Sequence, residues 1–531
     1  MPTDLSIYGD APFFVSPSAS IARGLDHLGM AQDNFNLMDA CIPGISNATR
    51  HVRPYSLMCW ASWYSREAWK ARNRRPTTAD MLRFREKTES LFLWGHKLHD
   101  ATLHMPGSDA KVPKAGPGGR VMLDFKSWNR SPGNTSYLAA VQYRPSLTTG
   151  LGLLAREGPD LFKPTDTGED LAMALHAELS RCTSFDLLCD ADAIKATPKE
   201  AEAAYEVWNV KETSKAEACL FRSVLYEENS VPAAADLEQV NPLARRSAFV
   251  RLVIDALTQA RQPLDAATLR ELLAFGRLSN GSPLRLEAGP RAQSQRWRLL
   301  QMRQAQRQAV ESLLAWIERM LIDEQICEPN DLWRRAAEEI EMDGCVEEAV
   351  TACLPAQCRS FEDYSQWLQQ GEDEHLSIIA ETYVLGHATR AGEQTVNDCL
   401  GLLFKLERML SWITPDSFLS QELARYSTAH RVPFAKWRNL VRRFGQRSPA
   451  ELAEQLLKQC VLSQHFAIAT QRNEEGKPRL RISVEEEGFR ALVDRSWAPQ
   501  PTPDRLEALL SLMQSCHLLR ERDLSYSPAK L

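Results

Sequence analysis

The feature that most constrains the fold of this 531-residue chain is a long helical run near its centre. The segment RAQSQRWRLLQMRQAQRQAVESLLAWIERMLIDEQ, from Arg291 to Gln325, contains neither proline nor glycine. The surrounding chain, from about 166 to 425, is rich in Ala, Leu, Glu, Arg and Gln, which have high helix propensity. Because these residues run in amphipathic segments, 166–425 is predicted to be a central helical domain.

The flanking regions predict two further domains. Residues 1–165 are predicted to be an N-terminal helical domain with a Gly/Pro-rich loop at 104–120. In 426–531, SPAELAEQLLKQCVL indicates a helix capped by Ser448, and HFAIATQR and PRLRISVE alternate as strands do around NEEGK. TPDRLEALLSLMQSCHLL indicates a last capped helix. The expected fold class is a mainly α, multi-domain protein with a small winged-helix-like C-terminal module.

Composition narrows the function classes. The 63 basic and 69 acidic residues give a net charge of −6, which excludes a globally basic nucleic-acid coat but not a local basic patch. The start, MPTDLSIYGD, lacks the basic region of a signal peptide, and no apolar run is long enough to span a membrane. Twelve scattered cysteines without a C-x-x-C pair indicate reduced thiols. We therefore predict a cytoplasmic protein without membrane contact.

The clearest candidate binding surface is the stretch from Arg425 to Arg447, which contains no acidic residue. Helical spacing in PFAKWRNLVRRFGQR places Phe434, Trp437, Val441 and Phe444 on one face, with the cations off it. Such a face could contact nucleic-acid phosphates or an acidic partner, or simply be solvated. We predict phosphate contacts by Lys436, Arg438, Arg442, Arg443 and Arg447. A second acid-free run, Arg291 to Arg307, adds Arg296, Arg298 and Arg303.

A second anionic site is predicted near the start of the chain, in GISNATRHVRPYSLMCWASWYSREAW. The segment after Pro54 is expected to be a buried helix, because its tryptophans are large apolar groups. Arg50, His51 and Arg53 stand just ahead of it, where cations oppose the helix dipole and indicate an anionic partner. A salt bridge to an acid elsewhere in the chain is the alternative.

A catalytic or metal-binding function has less support in the sequence. His96, His99 and His104 resemble metal spacing, but only the first two share a helical face. Asp124 and Lys126, in LDFK on a predicted strand, match the end of a Mg²⁺-nuclease arrangement that also needs an upstream acid, either Asp100 or Asp109. Phosphate-binding P-loop, dinucleotide, hydrolase-elbow and zincin motifs do not occur. We predict no catalytic residue, no metal and no cofactor.

Two phrases carry a resemblance, CIPGISNATRHVRPYSLMCWASW near the start and RISVEEEGFRALVDRSWAPQPTPDRLEALLSLMQSCHLL near the end. They resemble large, mostly helical bacterial proteins encoded in anti-phage defence gene clusters. The resemblance implies a context and transfers no functional residue. The predicted function is a non-catalytic nucleic-acid-binding or adaptor subunit of a defence assembly, with other protein subunits as partners. The alternatives are a protein-binding scaffold and a Mg²⁺-dependent nuclease.

Overall fold

A computed structural model describes residues 26–70, 73–100, 102–232, 241–370, 376–427, 431–471 and 479–529. In these ranges the protein is mainly α, as predicted. The helices of the first part are α1 Ala31–Cys41, α2 Arg53–Lys70, α3 Thr78–His99, α4 Pro132–Thr135, α5 Asp166–Leu179, α6 Phe185–Cys189, α7 Pro198–Trp208, α8 Lys215–Leu225, α9 Pro242–Ala260, α10 Ala266–Phe275 and α11 Ala288–Ile322. The later helices are α12 Pro329–Glu338, α13 Val346–Ala352, α14 Phe361–Gln369, α15 Ile378–Ala391, α16 Val396–Ser411, α17 Phe418–Arg425, α18 Phe434–Phe444, α19 Pro449–Leu456, α20 Ser463–Gln471 and α21 Leu506–Ser515.

The strands are short and pair only in antiparallel fashion. They are β1 Val121–Met122, β2 Leu154–Arg156, β3 Phe162–Pro164, β4 Lys195–Ala196, β5 Leu264–Asp265, β6 Ile482–Glu485, β7 Gly488–Ala491, β8 Leu519–Arg522 and β9 Ser525–Pro528. β1 pairs with β4, β2 with β3 and β6 with β7, and one three-stranded sheet has the order β5-β9-β8. Among the described helices, none is both long and apolar enough to cross a membrane.

The chain divides into two compact units, and each is discontinuous in sequence. The first contains 26–37 and 296–502, and the second contains 38–295 and 503–529. This division does not follow the three predicted segments 1–165, 166–425 and 426–531. Composition and pattern change along the chain predict only contiguous segments, whereas each of these units is assembled from distant parts of the chain.

Capping side chains fix where many helices begin. The Thr77 hydroxyl accepts the Asp80 N–H and the Asp80 carboxylate accepts the Thr77 N–H, so α3 starts with a capping box. Ser448 caps α19 by accepting the Glu451 N–H, as predicted, and Pro449 occupies the first turn. The starts of these helices are determined by local sequence, because the hydrogen-bond donor and acceptor of each cap lie three residues apart.

In the first unit, the part of α11 from Arg296 onward is buried nearly all round. Two of its buried glutamines bond to backbone groups: the Gln304 amide exchanges two hydrogen bonds with the backbone of Thr502, and Gln308 donates to the Pro499 carbonyl. Such hydrogen bonds offset part of the cost of burying an amide, although the Gln308 Oε1 atom has no hydrogen-bond partner among the described residues. The glutamine-rich face of this helix is therefore interior, although its composition is that of a surface.

In the second unit, α2 packs against α5 and α3, and α3 packs against α7. Trp60 is fully buried in α2 and its indole N–H donates to His176 Nδ1 at 3.2 Å, which confirms the expected buried helix. Lys87 is also buried, and its ammonium donates to the carbonyls of Leu187, Leu188 and Asp190 around the end of α6. A buried cation here takes the place of solvent at the carbonyl end of a helix.

Three local predictions were wrong. HFAIATQR, predicted as a strand, is helical in α20, where the buried residues Gln464, His465, Ile468 and Ala469 recur at helical spacing. The segment NEEGK and Arg472 lie outside the described residues. The strand predicted in PRLRISVE is confirmed at Ile482–Glu485 as β6, but its hairpin partner is β7, which follows it in the sequence. Short apolar alternations do not distinguish a strand from one buried helical face.

The other two errors concern an element's extent and its cap. The strand predicted in RVMLDFKSW is only the two residues of β1, and the turn that follows holds Asp124. The last helix, α21, has no side-chain cap: the residue before it, Arg505, is in the left-handed conformation with φ 69°. The predicted loop at 104–120 is confirmed as irregular chain, apart from a short 3₁₀ turn at Pro117–Gly119.

Candidate nucleic-acid interface

Helix α18 has the two-sided character that its sequence predicted. Phe434, Trp437, Leu440 and Val441 are buried, while Phe444 is half-buried. The ring of Trp437 lies 6.0 Å from that of Phe404 on α16, and the helix packs against α13 and α19. Burying one large aromatic and its aliphatic neighbours contributes several kcal/mol, roughly 2 for each side chain, so the helix is held firmly from one side.

Arg442 and Arg443 lie on the opposite, exposed face. Of the residues that the structure describes, none places a carboxylate within ion-pair distance of either guanidinium. Both arginines stand in the last turn of α18, where the helix dipole favours positive charge. They are two adjacent cations on a packed helix end, and arginine is one of the side chains that contact phosphate oxygens.

The three other predicted phosphate ligands of this region already have partners. Lys436 donates to the Gln459 carbonyl at 2.8 Å. Arg438 forms an ion pair with Glu407 at 3.2 Å, and Arg447 pairs with Glu451 at 3.0 Å. The guanidiniums of Arg438 and Arg447 remain partly exposed, but the carboxylate beside each of them reduces the positive potential that it adds to the surface.

The carboxylate of Glu407 is held in an unusual state by this arrangement. Burial raises the pKa of Glu407, while the charges of Arg438 and Arg442 oppose that rise. One of its oxygens, Oε2, is buried without a hydrogen-bond partner among the described residues. Glu407 lies 31 residues before Arg438, so no local pattern in the sequence connected the two.

The second predicted anionic site does not form one exposed surface. Arg50 is exposed and pairs with Glu507 at 3.2 Å, whereas Arg53 is almost fully buried and pairs with the equally buried Glu217 at 3.0 Å. Burial is also the main cause that lowers the pKa of His51 to about 4, helped by the charges of Arg50 and Lys211. At neutral pH His51 is therefore uncharged. The salt-bridge alternative describes both arginines.

In the second acid-free run, Arg291 to Arg307, most arginines are interior, and Arg291 is exposed. Arg296 forms a buried ion pair with Glu422, and Arg303 donates to the carbonyls of Arg431 and Val432 and approaches Asp33 at 3.4 Å. The guanidinium of Arg298 stacks 4.1 Å above the ring centre of Phe361. These residues hold the first unit together and are not placed to meet a phosphate. Their expected support for nucleic-acid binding was wrong.

The structure does not bring the candidate catalytic or metal-binding residues together in a site. Asp124 accepts the N–H and the hydroxyl of Ser127, at 2.7 and 2.8 Å, and so closes a turn. His96 is buried, with Nδ1 2.7 Å from the Phe92 carbonyl and Nε2 accepting the Val210 N–H, and His99 stacks on Tyr205. In the described part of the chain no three His, Cys, Asp or Glu side chains are grouped so as to hold a metal ion.

Comparison with protein-family models, with curated proteins and with solved structures gave no match for this chain. Inference about function therefore depends on the residues themselves.

Proposed function

We propose that this protein is a non-catalytic nucleic-acid-binding or adaptor subunit of a bacterial anti-phage defence assembly, and that it contacts the phosphate backbone through the end of α18. The observation that carries the proposal is the adjacent pair Arg442 and Arg443, exposed and without a carboxylate partner among the described residues. Arg438 and Arg447 flank the pair and supply weaker, partly compensated charge. The defence context comes from the sequence resemblance alone.

The order of elements supports the same proposal. Helices α18, α19 and α20 are followed by the hairpin β6–β7. Under this proposal they form a winged-helix-like module, with α18 facing the phosphates and the hairpin as the wing. The hairpin turn carries Glu486 and Glu487, so the wing would sit away from the phosphate backbone.

Two uncompensated cations predict a modest and strongly salt-dependent affinity. Each phosphate contact on duplex DNA contributes about −0.9 to the slope of log K against log salt, so two contacts predict a slope of about −2. Such binding is insensitive to base sequence, because phosphate contacts position a protein without reading bases. Sequence specificity, where the assembly needs it, would then come from another subunit.

The test is fluorescence anisotropy of the full-length protein with labelled single- and double-stranded DNA and RNA, at several salt concentrations and with and without Mg²⁺. The informative variant is Arg442→Glu with Arg443→Glu. The matched control is Arg359→Glu with Arg390→Glu, which changes the charge of the first unit equally at two other exposed arginines. Loss of binding in the first variant only supports the proposal.

Two results would overturn it. Equal loss in both double variants would mean that binding depends on overall charge, and no binding at low salt would leave α18 without a nucleic-acid role. In the second case the same helix would be tested as a docking surface for an acidic protein partner. Metal-dependent cleavage lost in Asp124→Ala would favour the nuclease alternative instead.

A further inference from the structure

An acidic side chain of α16, Glu407, lies against the cations of α18. Its Oε1 atom accepts a hydrogen bond from Arg438 Nε at 3.2 Å, and the positive charge of Arg442 also acts on it. Arg438 and Arg442 are four residues apart in α18, so their side chains are neighbours on the helix surface. The Glu407 carboxylate therefore competes with a nucleic-acid phosphate for the same two cations.

The two partners of this ion pair differ in burial. The side chain of Glu407 is only 13% exposed, whereas that of Arg438 is 40% exposed and can turn towards a ligand in solution. The second carboxyl oxygen, Oε2, is sealed from solvent and accepts no hydrogen bond from a described residue. Burying an ionised oxygen without a donor is costly, and protonation of the carboxyl removes that charge. Drawing Arg438 away from Glu407 therefore favours the protonated carboxyl.

Titratable groups on the other helices packed against α16 are paired or neutral. On α15, Glu381 forms an ion pair with Lys405 of α16. On α13, Glu347 accepts a hydrogen bond from the Gln446 amide at 2.7 Å. Burial raises the pKa of Cys353, at the end of α13, to about 11, so its thiol is uncharged at neutral pH. Burial and the two arginines of α18 thus decide whether the carboxyl on α16 is ionised.

We propose that Glu407 is a positioning residue of the α18 surface, and that its carboxyl group exchanges Arg438 for a proton when nucleic acid binds. The proton comes from solvent and adds to the carboxylate, and the hydrogen bond from Arg438 breaks. The released guanidinium then contacts a phosphate beside the one that Arg442 contacts. This inference rests on the proposed function, because it concerns the same surface. Linkage is reciprocal, so binding that takes up a proton strengthens as the pH falls.

The direction and size of the effect follow from the charges. Burial raises the pKa of Glu407 above the ordinary glutamate value of about 4.3, so the carboxyl titrates above that pH. At pH 8 it is ionised and compensates Arg438, and at the acid end Arg438 is free. One additional phosphate contact changes the slope of log K against log salt by about −0.9, so the slope should pass from about −2 at pH 8 to about −3 at pH 5.

The test is fluorescence anisotropy of the full-length protein with labelled duplex DNA between pH 5 and 8, at several salt concentrations. Glu407→Gln cannot ionise, so its slope should be about −3 at every pH. The matched control is Glu451→Gln, which removes the exposed carboxylate that pairs with Arg447 and changes the charge equally. This control should keep the wild-type change of slope between pH 8 and pH 5.

A second variant keeps the test decisive if Glu407→Gln fails to fold. Arg438→Met has no guanidinium to release, so its slope should stay near −2 across the pH range. The inference is overturned if the wild-type slope is the same at every pH, if Glu407→Gln keeps the wild-type pH profile, or if Arg438→Met shows the full change of slope. Each of these results leaves the proposed function standing, whereas no binding at any pH and salt concentration overturns both.

Discussion

The two acid-free runs of this protein are similarly rich in arginine in the sequence, but their arginines differ in burial in the structure. Arg296 and Arg303, in the run Arg291 to Arg307, are buried in ion pairs and carbonyl contacts, whereas Arg442 and Arg443 are exposed. The difference is visible in their apolar neighbours. In α18 the apolar residues form one stripe, but in α11 Trp297, Leu299 and Leu300 are buried on several sides at once. A charge run therefore indicates a surface only where the apolar residues are confined to one face.

The largest expected effect comes from truncating a buried arginine. Arg303→Ala removes the donors to the Arg431 and Val432 carbonyls, and it also removes the guanidinium that neutralises the Asp33 carboxylate. Removing one partner of a buried pair costs about 3–5 kcal/mol. Urea denaturation followed by tryptophan fluorescence should show that loss. Arg443→Ala, the control, should change the free energy of unfolding by no more than about 0.5 kcal/mol. Similar losses of stability in both variants would contradict the assignment of Arg303 as a buried structural arginine and Arg443 as a surface arginine.

The buried run also predicts a pH dependence. Burial raises the pKa of Glu311 to about 7, against the opposing charge of Arg307, which donates to it at 2.8 Å. A carboxyl group whose pKa is raised on folding contributes most to the free energy of unfolding at pH values below its pKa in the unfolded chain. That contribution is lost as the pH rises towards 7, the pKa of Glu311 in the folded protein.

The measurement is the free energy of unfolding of wild type and Glu311→Gln between pH 4.5 and 7. The wild type should lose stability relative to the variant by up to about 1.4 kcal/mol per pH unit, with no further change above pH 7. Parallel curves for the two proteins would show that Glu311 does not take up a proton in this range.

A smaller effect is expected in binding at the exposed run. Reversing Arg442 and Arg443 to glutamate should bring the salt slope of duplex binding from about −2 towards zero and weaken binding about tenfold or more at low salt. The fold should be unchanged, since neither side chain has a described partner to lose. A variant that binds with an unchanged slope would assign the contacts to other cations.

The smallest effect is expected at Arg447. Its pair with Glu451, at i and i+4 and largely exposed, is worth about 0.3–0.5 kcal/mol and is screened by salt. Arg447→Ala should therefore lower stability by about that amount at low salt and by less at high salt, in denaturant titrations at two ionic strengths. A loss above about 1 kcal/mol would mean that Arg447 belongs with the buried arginines.

The candidate site was predicted in part. The apolar stripe of α18 and the exposure of Arg442 and Arg443 followed from helical spacing alone. The pairing of Arg438 with Glu407, and of Arg53 with Glu217, did not, because each acid belongs to a different helix.

The sequence by itself determined that this chain is mainly helical and where several helices begin. Those properties depend on propensity, on spacing and on caps such as Thr77 with Asp80, in which all partners lie within one or two turns. Only the tertiary structure decided which arginines are interior, how the two discontinuous units are composed and which cations remain uncompensated. The reason is physical: a guanidinium is stabilised by carbonyls and carboxylates wherever the fold brings them, as Val432 comes to Arg303 across 129 residues, and no local pattern records that approach.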